Sequence, residues 1–507
     1  MKFSKEQLVI LNSNENVKIN AVAGSGKTTT VIAYAKNRPE NSRILYLAFN
    51  KSIQAEATRK FQRQGLSHVE VKTAHALAFQ NIVMGSSYQV KNQSYTTFEI
   101  VQILNLSTYF DSSTAFILAN HIYKLVVFFC NSAQRKVQEL NYIQTIADPD
   151  AKTFVENHYA YILKFSRIFL GKMDAGQIDI IHDFYIKKFQ LSNPKLSYDY
   201  ILFDEGQDAS AAMLDVFTRQ KAIKVIVGDT NQQIYSWRYA INSLEKTNFP
   251  RVNLSTSYRF NPDVAALASY VLGFKKHLGT YKEIPIQGKG VSKSIKVKAI
   301  IARTNLGLLL KAISYITQRE QLQSIYFEGH ISSYTYADEG ASLYDILNLY
   351  LGKSHLIKDP LIKGMRSITE LRNYIEQTAD MQLQMMLQIV EEYGDKVPYY
   401  LNALKKKHVE DRENAEVIFS TVHRSKGMEY DTVQLANDFI TEEKIIKQME
   451  SNRVDYNLKS KLNEEINLLY VAITRSRNRV YVPDSLFPNV DFNSKHIYKL
   501  RSGRAKA

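Results

Sequence analysis

The stretch Asn20-Ala21-Val22-Ala23-Gly24-Ser25-Gly26-Lys27-Thr28-Thr29-Thr30-Val31 decides the fold. An apolar-leaning run, Val17 to Val22, leads into it, and a helix-capable run, Thr28 to Ala35, comes after it. Strand, glycine loop and helix, in that order, are what a phosphate-cradling loop requires. Gly24 and Gly26 let the backbone turn its N–H groups inward with no Cβ in the way. Those groups and the helix N-terminus then face an anion. On this reading Ala23 and Ser25 complete the loop, Lys27 reaches the terminal phosphates, and the hydroxyl of Thr28 holds Mg²⁺. Ala21 stands where the pattern has its first glycine. An ordinary glycine turn before a helix is spelled with similar letters, so the weight rests on the strands downstream.

Those strands are short apolar runs, each ending in polar groups. Ile44 to Phe49 reads as a buried parallel strand ending at Asn50-Lys51-Ser52, and Val69 to Ala74 as a second, ending at His75. Polar groups at strand carboxyl ends are where open α/β sheets bind ligands. Tyr200 to Phe203 delivers Asp204-Glu205-Gly206-Gln207-Asp208. There Asp204 would hold Mg²⁺ through its water shell, and Glu205 would orient and deprotonate an attacking water. Lys224 to Val227 leads into Gly228 to Arg238, where Gln232 would sense a γ-phosphate and Trp237, the one tryptophan, would stack on a base. Tyr258 offers a ring to adenine and Arg259 a cation to phosphate. The Gln7 amide, donor and acceptor together, matches an adenine edge. Taken singly, Gln7, His75 and Trp237 are ordinary surface or core residues.

The chain has 507 residues, a normal apolar fraction of 45%, and 65 Lys+Arg against 50 Asp+Glu. That basic balance favours a polyanionic partner. A single cysteine, Cys130, excludes an intrachain disulfide or a Cys-rich zinc site and fits a reducing compartment. Met1 is followed by Lys2-Phe3-Ser4-Lys5 with no apolar h-region, so no secretory signal is expected. The most apolar window, Phe116 to Cys130, contains Asn120, His121 and Lys124 and reads as too short and too polar to span a bilayer. A soluble, intracellular (cytoplasmic) chain is the expectation.

The pattern divides the chain into two α/β domains, each with a helical insertion. Residues 1–75 and 196–265 form the first, interrupted by a helical insertion at 76–195. Residues 266–331 and 416–490 form the second, interrupted by a short helical insertion at 332–415, and 491–507 reads as a basic flexible tail. Within the first insertion, Ile181 to Phe189 interleaves aromatic and basic residues, as a single-strand contact surface needs, although a core helix has the same periodicity. In the second, Leu383, Met386, Leu387, Val390 and Tyr393 share one helix face and read as packing core. Arg475 is a candidate arginine finger.

The order A-G-S-G-K-T, A-F-N-K-S, T-A-H, D-E-G-Q-D, G-D-x-x-Q-x-I-Y-x-W-R, S-Y-R, T-V-H-R-S-K-G-M-E and L-L-Y-V-A-I-T-R-S-R resembles the UvrD/Rep-type superfamily 1 DNA helicases. The stretches I-H-D-F-Y-I-K-K-F-Q-L, D-M-Q-L-Q-M-M-L-Q-I-V-E-E-Y-G and N-L-L-Y-V-A-I-T-R are most similar to the F-box DNA helicase branch. No F-box is recognisable in these residues, so ubiquitin-ligase recruitment is not expected. The resemblance implies two RecA-like phosphate-loop domains that bind ATP and Mg²⁺ and move 3′→5′ along single-stranded DNA, opening forked or tailed duplexes. It implies adenine contacts from Gln7 and Tyr258, phosphate contacts from Gly24, Gly26, Lys27, Thr28 and Thr29, and a ribose contact from Glu429. Gln232 is implied at the γ-phosphate, and Arg259 and Arg475 at the transition-state charge. Phe49, Asn50, His75, Tyr235, Trp237 and His423 match positions near single-stranded DNA. Tyr239 stands where a glycine is common after W-R, which leaves the local strand path open. A DNA-stimulated ATPase switch in a larger complex and a small-molecule phosphate-loop enzyme remain as alternatives.

Overall fold

The computed structural model describes residues 3–279, 281, 284–318, 321–329, 331, 334, 341–450, 454–488 and 490–500, with the side chain of Trp237 outside that description. The chain forms two compact units. One is Met1–Tyr95, Ile122–Tyr142 and Tyr159–Tyr258; the other is Thr96–His121, Ile143–His158 and Arg259–Ala507.

The first unit is built on a six-stranded sheet. Its strands are β1 (Val17–Ala21), β2 (Ile44–Ala48), β3 (Val69–Thr73), β4 (Tyr200–Phe203), β5 (Ile223–Gly228) and β6 (Arg251–Leu254). The order across the sheet is β3-β2-β4-β5-β1-β6, and every neighbouring pair is parallel. Parallel strands are covered on both faces, which is why β2 is buried at all five positions and reads as an unbroken apolar run. The core between sheet and helices is made by Ile19, Val31, Tyr34, Tyr46, Phe61, Leu202 and Val225. Helices α1 (Lys5–Leu11), α2 (Lys27–Lys36) and α3 (Ala74–Ile82) belong to this unit. Ser4 and Gln7 close a capping box on α1, and Thr73 caps α3 by accepting from the Ala76 amide at 3.0 Å.

Two long helices, α4 (Ser112–Asn131) and α5 (Pro149–Asp174), precede α6 (His182–Leu191). Helix α4 runs for 20 residues and is long and apolar enough to cross a membrane by length and composition, contrary to the expectation from its polar residues. In the fold 56% of its most apolar window is buried inside the protein, including Leu118, Ile122, Leu125 and Cys130.

The second unit repeats the plan. Its strands are β7 (Lys298–Ala302), β8 (Ile325–Phe327), β9 (Val417–Thr421), β10 (Tyr430–Leu435), β11 (Ser476–Pro483) and β12 (Ile497–Leu500), in the order β8-β9-β7-β10-β11-β12, again all parallel. Helix α7 (Tyr456–Ile473) leads into β11. One core joins Ile300, Phe327 and Phe419 of the sheet to Leu383, Met386, Leu387 and Val390, so the stripe expected to be packing core is that. Residues 497–500 were expected within a flexible tail. They form an edge strand instead, Lys499 pairing with Val482 in the ladder and with Asp484 by a 2.9 Å ion pair. Residues 501–507 lie outside the described ones. The α/β class, with two parallel sheets flanked by helices, is as the sequence predicts.

Two glycines test the packing with opposite signs. A Cβ on Gly228 would meet Gln207 Oε1 at 2.1 Å, whereas one on the helical Gly171 meets nothing within 4 Å. Gly228→Ala is expected to destabilise by about 1–3 kcal/mol through overpacking. Gly171→Ala is expected to stabilise by about 0.5–1 kcal/mol through helix propensity. Thermal unfolding of the two variants, read against the unaltered chain, checks both.

Candidate functional site

In a parallel sheet all strand carboxyl ends share one edge. In the first unit that edge carries the glycine loop after β1, Asn50 after β2, His75 after β3, Asp204 and Glu205 after β4, and Asp229 to Gln232 after β5. The glycine loop folds as the sequence predicts, with Gly24 and Gly26 at φ of 74° and 80°. These are left-handed values that disfavour any side chain. The amide of Tyr258 donates to the Gly24 carbonyl at 2.9 Å, placing that residue, 53% exposed, beside the loop. No side chain caps the N-terminus of α2, so its first N–H groups point at the loop's hollow. Ala23 and Ser25 are buried, Thr28 and Thr29 half-buried on the first turn. The Ser25 Oγ is buried and has no hydrogen-bond partner among the described residues. Gln7 lies against this helix, its Nε2 donating to Thr30 Oγ1 at 2.9 Å and its Oε1 accepting from the Ser4 amide.

Lys27 Nζ meets Glu205 Oε1 at 3.2 Å. Burial works against its charge, but Glu205, Asp229 and Asp204 outweigh burial and hold its proton above the ordinary lysine range. Asp204 is pushed up to about 6 by burial and by Glu205, with Lys27 and the Tyr46 hydroxyl opposing. Glu205 itself sits at φ 52° and ψ 42°, left-handed and strained for a residue with a Cβ. What holds it is Gln207. Its Nε2 donates to Glu205 Oε2 and, at 3.1 Å, to Asp208, while its Oε1 accepts from the Asp229 amide at 3.1 Å. Gln232 Nε2 donates to Asp229 Oδ2 at 2.8 Å, so the acids facing Lys27 and the candidate γ-phosphate sensor form one network. Sequence reading missed two members. Tyr46, a hydroxyl within the apolar run of β2, donates to Asp204. Gln207, fully buried within D-E-G-Q-D, orients Glu205. A polar group inside an otherwise apolar strand was the one available signal for the first.

The same edge carries the candidate strand contacts. The rings of Phe49 and Tyr235 stack, centroids 5.6 Å apart and planes 28° apart. Asn50 is exposed, and its Oδ1 accepts from the Ile53 amide at 2.9 Å. His75 is exposed on the first turn of α3. The side chain of Trp237 lies outside the described residues. Tyr239 adopts φ 58°, the left-handed conformation that explains why a glycine suits this position. Its ring packs 4.8 Å from Phe128, and its hydroxyl donates to the Lys124 carbonyl at 3.3 Å. Helix α6 takes the core-helix alternative. Phe184, Tyr185, Ile186, Lys187 and Phe189 are buried, and Lys187 Nζ turns inward to the carbonyls of Ser132 at 2.8 Å and Gln134 at 2.6 Å. Burial lowers its proton affinity to about 8. Lys188 pairs with Asp174 at 2.6 Å, so neither lysine is a free phosphate contact, and the core-helix periodicity wins.

The second unit assembles Arg259, Glu429 and Arg475. Arg259 Nε donates to Glu429 Oε1 at 2.8 Å and its Nη1 to the Thr474 carbonyl at 2.9 Å. Arg477 takes the other Glu429 oxygen at 3.0 Å. Arg475 is buried, its Nε donating to the Val471 carbonyl at 3.1 Å at the end of α7. His423 is half-buried on the turn after β9.

The chain is similar in sequence to known DNA helicases. Residues 2–247 match the UvrD/REP helicase N-terminal domain. The chain is 28% identical to F-box DNA helicase 1 of Gallus gallus, over 99% of this chain and 51% of that protein. It is 27% identical to F-box DNA helicase protein 1 of Schizosaccharomyces pombe, over 95% of this chain and 57% of the relative. A probable DNA helicase II homolog of Mycoplasma capricolum is 25% identical over 58% of this chain and 44% of its own length. The chain thus spans about half the length of the curated relatives it matches.

The Glu429 cluster yields a pH signature. Burial disfavours its charge, but Arg259 and Arg477 prevail and hold the carboxyl below the usual glutamate range. A carboxyl depressed on folding contributes stability above its unfolded value and loses it as pH falls through the folded one. Glu429→Gln is therefore expected to lower the unfolding midpoint at neutral pH, by about 1 kcal/mol for this partly exposed group. Thermal melts across pH should show the gap closing below about pH 4.

Proposed function

We infer, from the UvrD/REP helicase N-terminal domain at residues 2–247, that this chain is an ATP-dependent translocase and helicase on single-stranded DNA. One observation carries the reading. Gln232 and Tyr235 stand three residues apart on one loop, Gln232 tied to the acids that face Lys27 and Tyr235 stacked on Phe49. Phosphate chemistry and a base-stacking surface therefore share a short piece of backbone, and a shift at the γ-phosphate passes directly to the strand contact.

The residues fit a nucleotide and a divalent cation. The orphaned Ser25 hydroxyl, the uncapped start of α2 and Lys27 suit polyphosphate oxygens. Thr28 and Asp204 would hold Mg²⁺, for which Asp204 and Glu205 beside a single lysine are a hard, oxygen-rich donor set. The ion would neutralise phosphate charge when bound. Glu205, fixed by Gln207, accepts the proton of a water whose oxygen attacks the γ-phosphorus as ADP leaves. Tyr258 supports the adenine and Glu429 the ribose, and the reading requires Arg259 and Arg475 to meet the charge developing on the transferred phosphoryl group. The strand is gripped by Phe49, Asn50, His75, Tyr235, Trp237 and His423 through stacking and salt-sensitive phosphate contacts. The 3′→5′ direction follows from the resemblance to UvrD/Rep-type helicases. A DNA-stimulated ATPase that does not separate strands alone is the second reading, and displacement assays on forked duplexes of both polarities decide between them.

Lys27→Ala is expected to lower ATP turnover by about 100-fold or more with an unchanged circular dichroism spectrum. Arg475→Ala is expected to do so by about 1,000-fold while nucleotide binding persists. Wild-type turnover by the Lys27 variant refutes the site. Trp237→Ala should keep basal turnover and lose much of its stimulation by single-stranded DNA; undiminished stimulation removes Trp237 from the strand path.

A further inference from the structure

Helix α6 turns its lysines away from the strand surface but leaves His182, its first residue, exposed beside His75. The two imidazole rings lie 6.4 Å apart at 71°. The buried Tyr185 braces both, its ring 6.0 Å from His75 and 5.8 Å from His182. Tyr185 Oη and His182 Nδ1 are 3.0 Å apart, which holds the ring through one nitrogen and leaves Nε2 outside that contact. Phe79, exposed on α3, stands edge-on to Tyr185 at 5.8 Å. Helix α3 carries no charged side chain of its own. The charged groups that bear on His75 come from α6 and from the turn after Tyr235: Asp183, His182 and Arg238. The pair thus sits next to the loop that carries Tyr235 and Trp237, within one unit of the fold.

We propose that His182 is a further contact for the phosphates of single-stranded DNA, paired with His75, and that binding the strand there takes up a proton. The inference rests on the DNA-binding reading above and extends it to a residue outside that set. Its physical basis is the crowding of two imidazoles beside Arg238. His75 keeps an exposed edge, but the protein behind it lowers its proton affinity, with His182 and Arg238 adding to this against Asp183. A phosphate oxygen laid across the pair reverses that balance, because an anion within hydrogen-bond reach favours the imidazolium. Binding and protonation are then linked, each strengthening the other.

The test is fluorescence anisotropy of a dye-labelled thymidylate oligomer of about 20 nucleotides with the full chain, at constant ionic strength. Affinity of the unaltered chain should rise about 3- to 10-fold between about pH 8 and about pH 6. His182→Gln should bind as the unaltered chain does near pH 8, lose at least half of that rise, and keep its DNA-independent ATP turnover. His182→Lys, with a fixed charge, should bind tightly throughout and be equally flat. An unchanged pH dependence in His182→Gln, or none in the unaltered chain, overturns this inference alone. Failure of the unaltered chain to bind the oligomer at any pH overturns the DNA-binding reading beneath it.

Discussion

One lysine ammonium faces three carboxylates at the edge of the first sheet. Lys27 lies 3.2 Å from Glu205, and Asp204 and Asp229 also bear on it. A buried excess of negative charge is unfavourable by itself. The fold tolerates it because each acid is tied down by a neutral donor: Asp204 by Tyr46, Glu205 by Gln207, and Asp229 by Gln232. The architecture around this cluster serves the need to bring those groups to one place. A parallel sheet does so by its topology, since five strand ends along one edge deliver five loops to a common hollow.

The same logic explains the strained backbone of Glu205. Gly206 comes next with no room for a side chain, because a Cβ there would meet Ile226 at 2.5 Å. The chain turns sharply as it leaves β4, and Glu205 takes the left-handed conformation that puts its carboxylate toward Lys27. Strain of this kind persists where surrounding bonds overdetermine the geometry. Gln207, bonded to Glu205, Asp208 and the Asp229 amide, supplies that determination.

Much of this was legible in the sequence, for local reasons. Buried parallel strands appear as short apolar runs, so Ile44–Ala48 and Tyr200–Phe203 fall where the sequence predicts them. Phosphate loops are continuous stretches, and Gly24 and Gly26 announce their conformation by being glycine. What sequence reading missed depends on partners distant along the chain. Tyr46 and Asp204 are 158 positions apart, and nothing in either neighbourhood specifies the contact. Lys187 alternates with aromatics as a solvent-facing lysine would, yet carbonyls more than 50 residues earlier draw it inward. The edge strand Ile497–Leu500 was lost for a related reason: a run of four residues next to a basic end is too short to read as a strand until β11 offers it a ladder.

Tyr239 gives the loop that runs to it from Gln232 an unusual property. Its left-handed backbone, the aromatic contact with Phe128 and the bond to Lys124 pin the loop's far end to helix α4. The near end is held at Gln232 by Asp229. A segment anchored at both ends does not flap. It behaves as a short bridge between two piers, and the ring of Tyr235, stacked on Phe49, is mounted on the span between them. Where a glycine would leave that span slack, this chain holds it taut.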